Sequence, residues 1–171
     1  MKQWQPEILE DHVLKMIPLS ASDFDALFAV AADPEIWEQH PAKDRYQKDV
    51  FQHYFNKALS ERHSFLMIEK STQEIIGSTC YYYYKPEDSS IAIGYTFFGK
   101  QYWGIGYNQS SKKLLLDYAF TFVDKVYFHI GATNFRSQIA TKRIGAIQLE
   151  NSKETQKDSI DFLIQKKDWQ K

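Results

Sequence analysis

Ile93-Gly-Tyr-Thr-Phe-Phe-Gly-Lys-Gln-Tyr-Trp-Gly-Ile-Gly-Tyr-Asn108 is the stretch on which the fold turns, because it gathers four of the chain's seven glycines, Gly94, Gly99, Gly104 and Gly106. It follows a run of β-formers and opens a helical pattern. Glycine lets the backbone turn tightly and come close to a ligand. A helix N-terminus adds unpaired N–H donors and the positive end of the helix dipole. Together they make an anion cradle, with Asn108 placed as the N-cap. A plain strand-to-helix turn would use the same glycines. The spacing has neither the Gly-Lys-Ser/Thr of a P-loop nor the third glycine of a dinucleotide fold.

Upstream, residues 1–11 read as a lead-in tail and 12–171 as one domain. His12 to Leu19 is apolar enough for a first strand. Ser20 and Asp23 have capping-box spacing, and Phe24, Leu27, Phe28 and Ala31 then form a helical stripe that Asp33-Pro34 ends. A second helix is expected over 44–59, with Val50, Phe51, Tyr54, Phe55 and Ala58 on one face. Strands over 64–69, 75–84 and 90–98 make an antiparallel meander. Downstream, a helix over 109–123, a strand over 126–130, a helix over 135–144 and a strand pair at 146–150 and 159–165 complete a mixed α/β domain around one sheet.

Composition narrows the function. The formal net charge is −1, without a long basic run, which speaks against a nucleic-acid footprint. No apolar stretch approaches the ~20 residues of a membrane span, and the N-terminus lacks a signal-peptide core, so the expected compartment is the cytoplasm. Cys80 is the single cysteine and the five histidines lack ligand spacing, so no metal site is expected.

From Ile93 to Ala146 the chain resembles the GNAT acetyltransferases, in particular the branch that acetylates ribosomal-protein N-termini. The superfamily motif is Gln/Arg-x-x-Gly-x-Gly/Ala. Gln101-x-x-Gly104-x-Gly106 matches its letters; Trp103-Gly-Ile-Gly106-Tyr-Asn108 matches the branch's Tyr-Trp-Gly-x-Gly, with Asn108 and Lys112 as in a subgroup reading Gly-x-Asn-x-x-x-Lys. Asn134-Phe-Arg-Ser137 and Arg143-Ile-Gly145-Ala146 resemble a second family block, and Asp33 to Trp37 and Ile76 to Thr79 also look like this branch.

The resemblance implies an α+β fold: a bent sheet of about seven strands and about four helices, its fourth and fifth strands splayed. It implies acetyl-CoA as cosubstrate. The pantetheine would lie along the fourth strand near Thr96, Phe97 and Phe98, and the pyrophosphate on the N–H groups of Trp103, Gly104, Ile105, Gly106, Tyr107 and Asn108. Lys112 or Lys113 would meet phosphate charge, or be an ordinary solvated lysine. Asn134 would hold the cofactor where the fifth strand ends, cap the next helix, or do both.

Acetyl transfer needs a neutral amine, a donor for the oxyanion and a proton for the departing thiolate. The family's usual tyrosine acid falls at Thr141, so Ser137 is the expected substitute; as a bland alternative it only starts a helix. The usual glutamate before Ile-Gly-Tyr falls at Ala92, leaving Glu69, Glu74 and His63 as possible bases. An α-amine (pKa ~8) gives up its proton more readily than a lysine (~10.4), which fits an N-terminal acceptor. Trp37, His40 and the Tyr81 to Tyr84 run are expected to line the acceptor pocket, with Tyr81 and Tyr83 sharing one face. A polyamine, amino-acid or antibiotic acceptor, or a non-catalytic acyl-CoA-binding domain, are the alternatives. Monomer and homodimer both stay open.

Overall fold

The computed structural model describes residues 4–150 and 158–169. Within them, eight strands form one sheet in the order β1-β2-β3-β4-β5-β6-β8-β7. The strands are β1 (Leu9–Glu10), β2 (Leu14–Pro18), β3 (His63–Glu69), β4 (Ile75–Lys85), β5 (Ser90–Phe98), β6 (Lys125–Gly131), β7 (Ile147–Gln148) and β8 (Ser159–Gln165). The helices are α1 (Phe24–Ala31), α2 (Lys48–Ser60), α3 (Tyr107–Ala119), α4 (Phe135–Arg143) and the single turn α5 (Lys166–Trp169). The expected mixed α+β order is borne out, with β1 and α5 in addition. The lead-in expected at 1–11 contributes β1 and a core side chain: Trp4 is 1% exposed and packs edge-on to Tyr81.

Every pairing is antiparallel except β5 with β6, which run parallel. That pair touches only over Ser90–Ala92 and Lys125–Tyr127. Beyond it the strands part, which is the splay expected between the family's fourth and fifth strands, here β5 and β6. β6 continues instead against β8, from Lys125↔Gln165 to Gly131↔Ser159.

Two cores flank the sheet. Ile91, Ile93, Val126, Phe128 and Phe162 pack with Leu115, Leu116 and Ala119 of α3. Leu27, Trp37, Phe51, Phe55 and Phe97 form the other core under α1 and α2. A strict period of two would put Phe97 on the same face as Ile91 and Ile93. It lies on the other because β5 carries an extra residue: Ser78 pairs with Phe97 but Cys80 with Gly94, and Tyr95 has φ +52°. A bulge reverses the alternation and bends the strand. It falls where β5 leaves β6.

Candidate active site

The cradle stands at the end of this splay. Gly104 (φ +74°) and Gly106 (φ +102°) occupy backbone conformations that L side chains rarely adopt, and a Cβ at either would project into open space. Gly106 itself is the N-cap of α3, and among the described residues no side chain caps the start of the helix. Asn108, expected to be the cap, lies inside the first turn, and its Oδ1 is buried without a hydrogen-bond partner among the described residues. Because α3 begins at Tyr107, the last motif position falls within the helix. Trp103 pins the loop to β5 by donating its indole N–H to the Phe98 carbonyl at 3.0 Å, and the Arg136 guanidinium sits 4.4 Å from its ring centre. Uncapped N–H groups, two left-handed glycines and a free surface suit an anion such as a pyrophosphate.

The face toward α1 and α2 carries the polar chemistry. Tyr82 lies opposite Ala92, and its hydroxyl reaches across the splay to His129 Nδ1 at 2.7 Å. The small residues of β5 leave it room: a Cβ on Gly94 would come within 2.9 Å of the Tyr82 ring. Burial pushes the Tyr82 hydroxyl pKa up, so the phenol keeps its proton. Asp161 of β8 stands opposite His129, 1% exposed, and neither of its carboxylate oxygens has a hydrogen-bond partner among the described residues. Tyr95 packs edge-on to Tyr82 with ring centres 5.1 Å apart. Cys80 donates to the Gly94 carbonyl at 3.5 Å, and burial pushes its thiol up to about 12, so no thiolate nucleophile forms there.

A profile of the acetyltransferase (GNAT) domain matches residues 14–171. The chain belongs to the GNAT acetyltransferase family. It is an acyltransferase on that ground, and GNAT enzymes use acetyl-CoA. The uncharacterized N-acetyltransferase p20 of Bacillus licheniformis is 26% identical over 159 residues, covering 90% of this chain and 85% of p20. The spermidine N-acetyltransferase of Vibrio cholerae, solved with CoA and spermine, superposes with a TM-score of 0.71 at 16% identity, over 92% of this chain and 98% of the other. A Vibrio cholerae structure assigned as a ribosomal-protein-serine acetyltransferase gives the same TM-score and identity over 94% and 99%. These likenesses show the fold.

Within this GNAT domain the sequence-derived residues separate into groups. Trp103 to Asn108 do form one continuous loop-and-helix start. The side chains of Phe97 and Phe98 are buried in the two opposite cores, so only their backbone faces the splay. Lys112 turns inward instead of toward the cradle: it is 7% exposed and donates to Thr96 Oγ1 at 2.8 Å, which in turn lies 2.8 Å from Thr79 Oγ1. Its neighbour Lys113 is exposed and paired with Asp117. The Asn134 side chain caps α4, accepting the Ser137 N–H at 3.2 Å. The Ser137 hydroxyl is half-buried without a hydrogen-bond partner among the described residues, while Thr141, one turn later, is 4% exposed and faces the core.

Two acceptor residues need correction. Tyr81 is fully buried on the α3 side, donating its hydroxyl to the Leu115 carbonyl, and so cannot meet an acceptor. Tyr83 sits at φ +58° in a bulge of β4, exposed and off the face of Tyr81, with its ring edge-on to His129 at 6.0 Å between centres. The cleft tyrosine is Tyr82; alternation predicted that the tyrosines split between faces but not which one the core takes. Trp37 is buried in the second core with its N–H on the Ala31 carbonyl at 2.8 Å, and its ring meets His40. The suggested bases lie elsewhere: hydrogen bonds from Thr72 and Ser71 hold Glu69 at about 2, and Glu74 accepts the Tyr102 hydroxyl at 2.6 Å. His63 opens β3 opposite the core-facing Tyr81, its pKa lowered by burial. His129, Asp161, Arg45 and Arg62 were missed, since none of them stands in a motif, and Tyr82 lay within the expected tyrosine run without being singled out from it.

Proposed function

We propose that this GNAT enzyme moves an acetyl group from acetyl-CoA to a primary amine, foremost the α-amine of a peptide N-terminus. The observation that carries the reading is the uncapped start of α3, behind two left-handed glycines, at the end of the diverging β5 and β6. The loop N–H groups from Gly104 to Asn108 hold the pyrophosphate, while that of Trp103 is spent on the Lys100 carbonyl at 3.1 Å. On its β6 side, β5 beyond Ala92 has no ladder partner among the described residues and can bond pantetheine as an added strand. The amine nitrogen attacks the thioester carbonyl, the C–S bond breaks and the thiolate takes a proton. A main-chain N–H at the β5 bulge steadies the developing oxyanion. Ser137 supplies the thiolate proton, and the Tyr82–His129 pair accepts the one the amine sheds. A main-chain oxyanion donor and a low-pKa acceptor make the missing glutamate at position 92 tolerable.

The test is thermal unfolding with acetyl-CoA, followed by thiol release against a panel of peptides and amines. Ligand at a hundredfold its Kd adds ~2.7 kcal/mol, or roughly 5–10 °C in Tm for a domain of this size. No shift at millimolar acetyl-CoA removes the reading. A shift without thiol release from any amine leaves an acyl-CoA-binding domain.

A further inference from the structure

We infer that the acceptor carries a carboxylate within a few bonds of its amine, held by Arg45 and Arg62. The inference deepens the proposed acetyl transfer and rests on it for the identity of the amine.

Arg45, in the turn before α2, and Arg62, in the turn after it, converge on one aromatic side chain. The Arg45 guanidinium carbon lies 4.5 Å from the Tyr54 ring centre and that of Arg62 5.4 Å. Arg62 also stacks on Tyr95 at 3.6 Å. Two cations share this half-buried site, and neither forms an ion pair among the described residues. Arg62 Nη1 is buried with no hydrogen-bond partner among the described residues. Like charges brought together out of water need a counter-charge.

The third donor is His40. Its Nδ1 accepts the Ala42 N–H at 2.9 Å, so the ring hydrogen of the neutral imidazole sits on Nε2. That Nε2 faces Arg45 Nη1 at 3.3 Å, an N–H opposite an N–H. Burial, then Arg45, lowers His40 to about 4, so the ring is neutral near pH 7. Arg45, Arg62 and His40 thus converge as donors short of an acceptor. A carboxylate supplies two acceptor oxygens and the missing negative charge.

The position ties this site to the reaction. The Tyr95 ring has Arg62 on it and Tyr82 at its edge, and its carbonyl accepts the Tyr54 hydroxyl at 3.2 Å. One aromatic ring therefore separates the guanidiniums from the mouth of the splay, which sets the short span between carboxylate and amine. The same charges oppose a polycation such as spermidine. Two sources fit: the α-carboxylate of a free amino acid, and an acidic side chain at the start of a peptide.

The experiment compares thiol release from matched acceptors: an aromatic amino acid and its carboxamide, the peptides Ser-Asp-Phe-amide and Ser-Asn-Phe-amide, and spermidine. The expected result is a 10- to 100-fold preference in kcat/KM for the carboxylate member of one pair, which identifies the source, with spermidine poorest. Arg62→Gln and Arg45→Gln should erase that preference mainly through KM. Calorimetric binding of the N-acetylated products, with CoA present, reads the site without turnover. Each acid should bind at least tenfold tighter than its amide in the preferred pair, and the Arg62→Gln protein should not discriminate. Equal binding of acid and amide by wild type overturns the inference, whatever the turnover. Turnover of neutral amines with that equality leaves acetyl transfer standing; acid-selective binding without turnover does the reverse.

Discussion

Lys112→Met should stabilise the protein at pH 6, and more at pH 6 than at pH 9. Lys112 lies beneath β5 with Thr96 as its hydrogen-bond acceptor and the Phe128 ring 5.5 Å away; no carboxylate pairs with it among the described residues. Burial takes its pKa from the ordinary 10.5 to about 7. The unfolded chain therefore keeps this proton up to about pH 10.5 and the folded chain only to about pH 7. Between those values the unfolded state binds more protons, so stability rises with pH, by up to ~1.4 kcal/mol per pH unit. Below pH 7 the full penalty is present, with an upper bound on the order of 5 kcal/mol. Relaxation and water penetration reduce it, and exchanging buried ions for apolar groups typically stabilises by about 1–4 kcal/mol. Methionine keeps the length and the Phe128 contact, and Thr96 keeps Thr79. The assay is urea unfolding of both proteins at pH 6, 7, 8 and 9. His40 and His63, also held low by burial, are common to both and cancel. The raised tyrosines, Tyr54, Tyr81 and Tyr82, titrate above this window. We expect a gain of about 1–3 kcal/mol at pH 6 that shrinks toward pH 9. A less stable variant, or a difference independent of pH, refutes the reasoning and means that the ammonium has a favourable partner.

Gly106→Trp should abolish acetyl-CoA stabilisation, because the side chain would fill the space where phosphate meets the α3 N–H groups; Gly145→Trp, at a similar φ of +91° and also into open space, should keep it, and equal losses in both assign the effect to backbone strain. Ser137→Ala should lower kcat by ~10²–10⁴-fold, as expected for loss of a general acid, with acetyl-CoA affinity nearly unchanged and Thr141→Ala much milder; equal kcat for wild type and Ser137→Ala leaves water as the donor.

The sequence carried the glycine loop further than the tyrosine face, and the reason is physical. A loop with left-handed backbone and open space beside it needs residues without side chains at fixed spacing, and Gly104 and Gly106 mark it. Element order was legible too, because apolar periodicity reports burial directly. What the sequence concealed is the reversal in β5. With Tyr95 counted as an ordinary strand residue, Phe97 falls on the α3 side and the tyrosine run of β4 can be assigned to either face. The bulge, visible as an unequal register against β4, moves Phe97 to the other face, while β4 itself keeps its alternation, so Tyr81 opposite Ile93 stays in the α3 core and Tyr82 takes the cleft face. Lys112 was misread for a related cause: the motif spacing fixes its place on α3, but the direction of its side chain depends on Thr96 being turned toward that helix. Arg45 and Arg62 lie 17 residues apart on either side of α2, and nothing local marks them as neighbours.

The acceptor chemistry and the missing glutamate then bear on the same difficulty. A GNAT enzyme must present its amine without a proton, and a carboxylate at position 92 would act as the relay; Ala92 cannot. Positive charge near an amine favours its neutral form. Two guanidiniums against one bound carboxylate leave a net positive charge beside the mouth of the splay, one Tyr95 ring away. An α-amine of pKa ~8 is about one-tenth neutral at pH 7, and a fall of one unit raises that to about one-half. A lysine side chain at ~10.4 would need a fall of more than three units for the same effect. In this reading the arginines select the acceptor and ease its deprotonation at once, and an α-amine is the class of nucleophile for which that modest assistance suffices.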